Sequence, residues 1–256
     1  MRSDTGTHEQ FECSAASVAG IRPVNEDAWC TAQVGGGLVC AVADGIGGHE
    51  AGDVASALAI RVFGETVHAA QITSGDHDTA AAVLMKGHTL AHEAIRHQAI
   101  GTRAGMGTTL VSAWFGDGAI TMCNTGDSRC TLIRKGIVLR LTKDHSFVQD
   151  LVDKGVLTPE EAMDHPMKNI ITHSLGGDFI ADCTAHFLCP NDTLVLSSDG
   201  LHDYVSRQAL VAAGAVPSAD DAVKILLEEA ARKSTDNITL IVVRVHGEAK
   251  YPEECE

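Results

Sequence analysis

Apolar residues fall along this chain in two rhythms, one short and continuous, the other spaced at helical intervals. Residues 11–18 mix apolar and small side chains in a run short enough for a strand, after a polar stretch, 1–10, that reads as a loose tail. Pro23 keeps the segment from Gly20 to Asp27 out of helix, so it reads as a loop. Segments 28–33 and 37–43 then read as a hairpin across Gly35-Gly36-Gly37. Two helices follow: 51–72 places Val54, Leu58, Val62, Phe63 and Val67 near helical spacing, and 77–100 does so with Ala81, Leu84, Leu90 and Ile95. Gly75 separates them, and His88, His92 and His97 read as a solvated helix face.

Beyond Gly107-Thr108-Thr109 the short rhythm returns. Segments 110–115, 119–123, 130–133 and 137–141 are joined by turns too brief for crossovers, which predicts an antiparallel meander. Region 147–168 breaks the rhythm. It is mostly polar and contains Pro166, and Thr158-Pro159-Glu160-Glu161 is a helix-start signature, so it reads as a mobile surface flap of about 146–168. Segments 170–177 and 184–188 resume extended structure, and 193–198 is an apolar strand. Ser218 caps a helix through 231, and a last strand runs over 240–245 before a polar tail. With no repeat, low-complexity linker or composition break, a single domain over 1–256 is expected, its core about 11–245.

Composition narrows the classes. The 256 residues carry a formal net charge of −15, which argues against a nucleic-acid or anionic-membrane binder. No apolar run approaches a membrane span, and the N-terminus lacks a signal-peptide core. The eight cysteines include no Cys-x-x-Cys pair, and Cys40 and Cys123 lie in apolar runs where buried free thiols are expected, pointing to a reducing compartment, the cytoplasm. The 13 histidines form no His-Glu-x-x-His, so zinc is not suggested.

The candidate chemistry is carboxylate. Apolar residues Leu38, Val39, Ala41 and Val42 run into Asp44-Gly45-Ile46-Gly47-Gly48-His49, where glycines let carbonyl oxygens approach a ligand. A carboxylate beside bare carbonyls suits a hard divalent cation, although an ordinary strand-to-helix turn with a solvated Asp reads equally well. Thr193 to Gly200 repeats the device at Asp199, and Asp236 opens the last strand. Asp127 sits in a Gly-containing turn, and Glu26 and Asp27 form a doublet in the first loop beside Arg22. Strand ends stack at one sheet edge, so these acids can converge, and such a cluster raises its members' pKa values unless cations neutralise it. Oxygen-only donors favour Mg²⁺ or Mn²⁺. Two such ions about 3.5–4 Å apart make a site for phosphoryl hydrolysis, with Arg22 as a fork for phosphate oxygens.

In this order the motifs resemble the metal-dependent serine/threonine protein phosphatases of type 2C. The resemblance rests on Arg22-Pro-Val-Asn-Glu-Asp27, Asp44-Gly-Ile-Gly-Gly-His49, Gly107-Thr-Thr109, Asn124-Thr-Gly-Asp-Ser-Arg129, Ser198-Asp-Gly200 and Asp236-Asn-Ile-Thr239, spread over roughly residues 11 to 245. It implies an α+β fold, a four-layer αββα sandwich of two packed antiparallel sheets flanked by helix pairs. It also implies that Asp44 bridges two tightly held Mn²⁺ or Mg²⁺ ions. The Gly45 carbonyl and the Glu26 or Asp27 side serve one of them, and Asp199 and Asp236 the other. Arg22 takes the substrate phosphate, Asp127 with Asp199 holds a looser third ion, and a bridging hydroxide is the nucleophile, so that Arg22, Asp44 and Asp199 carry the catalysis. The expected substrate is phosphoserine or phosphothreonine in a protein, in opposition to a serine/threonine kinase and acting on the kinase or its targets. A cytoplasmic monomer is expected, with no nucleic-acid or membrane partner. The alternative is a non-catalytic pseudophosphatase scaffold that binds phosphoproteins, but such a protein should have lost a ligand and none of the matched acids is missing. One departure stands out: Ile46 occupies a position where many animal members carry a His proposed as general acid, and His49 nearby is as readily structural.

Overall fold

A computed structural model describes residues 2–8, 10–46, 51–70, 72 and 76–246. The chain begins with strands β1 (Arg2–His8), β2 (Phe11–Val18), β3 (Asp27–Val34) and β4 (Gly37–Ile46), followed by helices α1 (Gly52–Ala69) and α2 (His77–Gln98). Strands β5 (Gly107–Thr108), β6 (Leu110–Gly116), β7 (Ala119–Thr125), β8 (Arg129–Arg134) and β9 (Ile137–Arg140) come next. Short helices α3 (Phe147–Asp153) and α4 (Pro159–Met163) precede β10 (Asp182–Phe187) and β11 (Thr193–Ser197). Helices α5 (Asp199–His202), α6 (Arg207–Ala215) and α7 (Ala219–Ala231) lead to the last strand, β12 (Ile238–Val245).

The strands form two sheets in the orders β1-β2-β12-β11-β8-β9 and β10-β7-β6-β4-β3, with β5 paired to β4, and every pairing is antiparallel. Three apolar clusters separate four layers. Leu38, Cys40 and Val42 of β4 point between the sheets with Phe11, Phe115 and Ile241. Val39, Ala41 and Ala43 point the other way, onto Leu58, Phe63, Leu84 and Ile95 of α1 and α2. Both faces of β4 are therefore buried, which is why its sequence is a continuous apolar run and not an alternating one. Val195, Leu240 and Val242 form the third cluster with Ala213, Val223 and Leu226 of α6 and α7. This is the αββα sandwich expected from the motifs. Local signals hold as well: Ser218 caps α7, and Thr158 with Glu161 closes a capping box on α4. Helix α2 is capped by Asp76, which accepts from Thr79 N.

Several expectations are corrected. The supposed loose tail contains β1, which pairs with β2 from Arg2↔Ser17 to His8↔Phe11; a ladder of backbone groups requires no apolar side chains, so the polar sequence concealed it. The four-strand meander is divided: β6 pairs with β7 and β8 with β9, but β7 and β8 belong to different sheets, so the Gly126 turn carries the chain from one layer to the other. Segment 170–177 makes only isolated bridges, Ser146↔Ile171 and Thr108↔Leu175. His88 is fully buried, not solvated, with its ring nitrogens at 3.0 Å from Thr125 Oγ1 and 2.9 Å from Ser112 Oγ. Burial holds its pKa down to about 3, so it is a neutral polar staple between α2 and the sheet. His92 is partly buried, stacked on Phe179, and accepts from Gly176 N at 3.1 Å. Cys123 is not a free thiol: it lies directly opposite Cys183 on the neighbouring strand and is bonded to it, whereas Cys40 is free and buried. The thiol argument for a reducing compartment thereby loses one of its two examples. No helix among the described residues is long and apolar enough to cross a membrane.

Candidate active site

The acids come together where both sheets end on the same side. Register puts Asp27, the first residue of β3, opposite Asp44 near the end of β4, and Asp199 follows closely on β11 as the first residue of α5. Asp236 precedes β12, the neighbour of β11, and Asp127 occupies the sheet-switching turn after β7. Four of these carboxylates are held above their ordinary range, each by burial first and by neighbouring acids second. Burial, and then the charges of Asp27, Asp199, Asp127 and Asp236, push Asp44 well above the usual carboxylate range. Burial raises Asp27 to about 7, helped by Asp199 and Asp236 and opposed by hydrogen bonds from Thr239 and Ser198. Asp127 is pushed up to about 8 by burial, Asp199 and Asp144, against the pull of Arg129. Asp199 rises to about 6 through burial, Asp236 and Asp203, partly offset by a hydrogen bond with Asp44.

The non-acidic motif residues hold these acids in place. Asp44 C=O accepts from Thr109 N at 2.9 Å and from Thr108 Oγ1 at 2.8 Å, and Asp44 N donates to Thr109 Oγ1 at 2.9 Å. Thr109 Oγ1 also lies 2.7 Å from Ser128 Oγ, so one hydroxyl links the Asp44 strand to the Asp127 turn. Asn237 staples the first loop: Nδ2 donates to Ala19 O (3.0 Å) and Val24 O (2.9 Å), and Oδ1 accepts from Glu26 N (2.8 Å). Ser198 Oγ donates to Asp27 Oδ2 at 2.9 Å. Thr108, Thr109 and Asn237 lie inside motifs recognisable in the sequence, but their partners 64, 65 and up to 218 residues away are not legible there.

The Glu26-Asp27 doublet is split. A Cβ on Gly52, at the start of α1, would meet Glu26 Oε1 at 2.7 Å and Gly45 O at 3.1 Å, so Glu26 and the Gly45 carbonyl border the same space. A side chain on Gly52 would have to push the Glu26 carboxylate aside. Asp27 lies on the other side, with Ser198, Asp199 and Asp236. Arg22 is half exposed, and its guanidinium donates to Asp236 Oδ2 at 2.7 Å and to Thr235 O at 3.1 Å. Two of its five donors are engaged, which leaves the others for an incoming anion. Ile46 pairs with Gly107 and offers no proton, while Gly47, Gly48 and His49 lie outside the described residues.

Among the described residues no three His, Cys, Asp or Glu side chains are already closed into a ligand set. Instead Asp44 and Asp199 share a hydrogen bond and Asp236 is taken by Arg22. The donors nonetheless fit a hard divalent cation, because they are all oxygens and bring more buried negative charge to one place than the protein itself neutralises. The sign of the pH dependence follows. Asp199, Asp27 and Asp127 hold protons in the folded chain that the unfolded chain has released above its ordinary 3.8, up to about 6, 7 and 8 respectively. Stability contributed by the protonated forms is therefore present at low pH and lost as pH rises through those values. In chelator, melting temperature should fall between about pH 4 and about pH 8, and Asp127→Asn should flatten the upper part of that window. A flat or rising profile over that range would contradict it.

Two antiparallel sheets between helix pairs, with oxygen donors gathered where both sheets end, define the class of the molecule as a four-layer sandwich with an acidic centre at one edge. The protein phosphatase 2C profile matches residues 22–237, and the chain belongs to that family. It is 35% identical over 236 residues to the serine/threonine protein phosphatase PstP of Mycobacterium tuberculosis, a match covering 88% of this chain and 43% of PstP. The chain thus spans less than half the length of that relative. It is also 35% identical to the protein phosphatase PhpP of Streptococcus pneumoniae, over 81% of this chain and 85% of PhpP. A solved catalytic domain of PstP, in complex with two manganese ions, superposes with a TM-score of 0.78 at 33% identity, covering 93% of this chain and 99% of that domain.

Proposed function

We propose that this chain is a divalent-cation-dependent phosphatase that releases phosphate from phosphoserine and phosphothreonine in proteins. The observation that carries the reading is the gathering of Asp44, Asp27, Asp127 and Asp199 where both sheets end, each held above the ordinary carboxylate range chiefly by burial, a concentration of buried acid that calls for cations. Asp44 is the acid common to the whole cluster and would be shared between ions. The Gly45 carbonyl with Glu26 would serve one ion, and Asp199 and Asp236, with Asp27 beside them, the other. Asp127 and Asp199 would hold a third, looser ion. Mn²⁺ and Mg²⁺ both suit these donors, and when bound they supply Lewis acidity and a water of lowered pKa.

The chain's own groups do the rest. Thr108 and Thr109 fix the Asp44 backbone, and Asn237 fixes the loop that carries Arg22. Arg22, with donors to spare beyond those given to Asp236 and Thr235, would present them to the phosphoryl oxygens. Ile46 gives the leaving seryl oxygen no proton, so the proton must reach it from solvent ordered within the acidic cluster. The expected physiological substrates are a serine/threonine kinase or its targets, met by a cytoplasmic monomer.

The reading is tested by phosphate release from phosphoseryl and phosphothreonyl peptides with excess Mn²⁺; the pseudophosphatase alternative predicts binding without release. Arg22→Ala should raise KM by about 10- to 100-fold, the weight of one or two charge-assisted hydrogen bonds, and should not weaken Mn²⁺ binding, since Asp236 loses a competitor. Unchanged KM and unchanged product inhibition by phosphate would reduce Arg22 to a surface partner of Asp236.

A further inference from the structure

We propose that His145 is a positioning residue that fixes the Gly126-Asp127 turn and ties it to the base of the 147–168 insert, so that the step served by Asp127 depends on a hydrogen bond accepted by His145 Nδ1. The inference rests on the reading of the chain as a phosphatase with Asp127 in its site.

His145 grips one residue, Gly126, through the two peptide units that flank it. Its backbone N–H donates to Gly126 C=O at 2.9 Å, and its Nδ1 accepts from Gly126 N at 3.2 Å. Acceptance at Nδ1 puts the ring proton on Nε2, which donates to Asp182 Oδ2 at 3.2 Å. His173 packs edge-on against the ring, with centroids 5.3 Å apart, and His145 is only 7% exposed. The residue held in this way is Gly126, at φ +97°, where a Cβ would meet Thr109 Cγ2 at 2.6 Å. With no side chain of its own to steer it, the turn takes its orientation from these bonds and from Asn124 Nδ2, which donates to Gly126 O at 3.1 Å. Asp127 is the next residue.

The other side of His145 faces the insert. Its C=O accepts from Thr172 N at 2.9 Å, Ser146 bridges to Ile171, and Phe147 N donates to Ile170 O at 2.8 Å. Both roots of the insert therefore meet at the residue that holds the Asp127 turn, and a displacement of the insert's base is transmitted to Asp127 through one residue, by its backbone N–H and its ring.

The test is a double-mutant cycle in Mn²⁺-loaded full-length protein. In His145→Asn the shorter side-chain amide occupies the place of Nδ1 and keeps an acceptor for Gly126 N–H, whereas the longer amide in His145→Gln reaches the place of Nε2 and does not. His145→Gln should lower kcat on a phosphoseryl peptide by about 10- to 100-fold, the usual scale for partners that orient ligands, with little change in KM. His145→Asn should recover most of the loss. In an Asp127→Ala background His145→Gln should add nothing, and amide exchange at Gly126 should speed up in His145→Gln but not in His145→Asn. Asp182→Ala, at a position whose side chain is 55% exposed, releases the ring from the other end without emptying a buried site and should give a weaker form of the same pattern. It is the variant to read if His145→Gln does not fold. Losses that multiply with Asp127→Ala, His145→Asn no better than His145→Gln, or unchanged exchange at Gly126 would overturn the inference while leaving the phosphatase reading intact. Absence of turnover in the wild-type protein would overturn both.

Discussion

Asp44→Asn should abolish turnover while leaving the fold in place. The substitution preserves shape, and the hydrogen bonds that hold this position come from Thr108 and Thr109 to the Asp44 backbone, which it does not touch. What is lost is the acid central to the cluster, held up by burial first and then by the charges of Asp27, Asp199, Asp127 and Asp236. If bound cations contribute several kcal/mol of charge stabilisation to the transition state, at about 1.4 kcal/mol per tenfold, the expected loss in kcat is at least about a thousandfold. Stability should move the other way. In chelator the variant should melt no lower than the wild type, because a buried group that resists ionisation has been replaced by a neutral one. Added Mn²⁺ should raise the melting temperature of the wild type and much less that of the variant. Equal Mn²⁺-induced shifts in the two proteins would remove Asp44 from the cation site.

The second large effect concerns Asp127. It is buried in the turn between sheets, is linked through Ser128 to Thr109 and the Asp44 strand, and lies near Asp199. One carboxylate with a shared second should hold an ion weakly, since affinity rises with ligand charge and site rigidity. Asp127→Ala should therefore keep the two tightly held ions and the fold yet lose about 100-fold or more on a phosphoseryl peptide, the scale of a general-acid contribution. An aryl phosphate has a leaving group that needs less protonation, so its loss should be much smaller. Near-wild-type rates on both substrates would leave Asp127 a turn residue only.

The candidate acids Asp44 and Asp199 were legible because each ends an apolar run at a glycine, a local pattern. So were β2, from its short mix of apolar and small side chains, β12, whose run is nearly continuous, α2, from its apolar spacing, and α7, whose Ser218 cap is local. What escaped depends on distance in the chain. The turn from Asn124 to Ser128 looks like any hairpin, yet it steps between two sheets, because the partners of β8 are β11 and β9 and not β7. His88 has the spacing of a solvated face, but its partners Ser112 and Thr125 come from strands 24 and 37 residues on. Helix α6, Arg-Gln-Ala-Leu-Val-Ala-Ala-Gly-Ala, is rich in small residues and gives little apolar periodicity to read. At the site the acids were foreseeable, whereas the assignment of Glu26 to the Gly45 side and Asp27 to the Asp199 side required the register of β3 on β4 and the approach of α1. The ion pair of Arg22 with Asp236 likewise joins residues 214 apart.

The central claim is that this acidic cluster works through divalent cations. Phosphate release from an aryl phosphate, followed in the wild-type protein first with chelator and then as Mn²⁺ is titrated past it, tests the claim most directly. The account predicts no turnover above background in chelator and full recovery with Mn²⁺ in excess, with no recovery in Asp44→Asn. Hydrolysis at the full rate in chelator would contradict it.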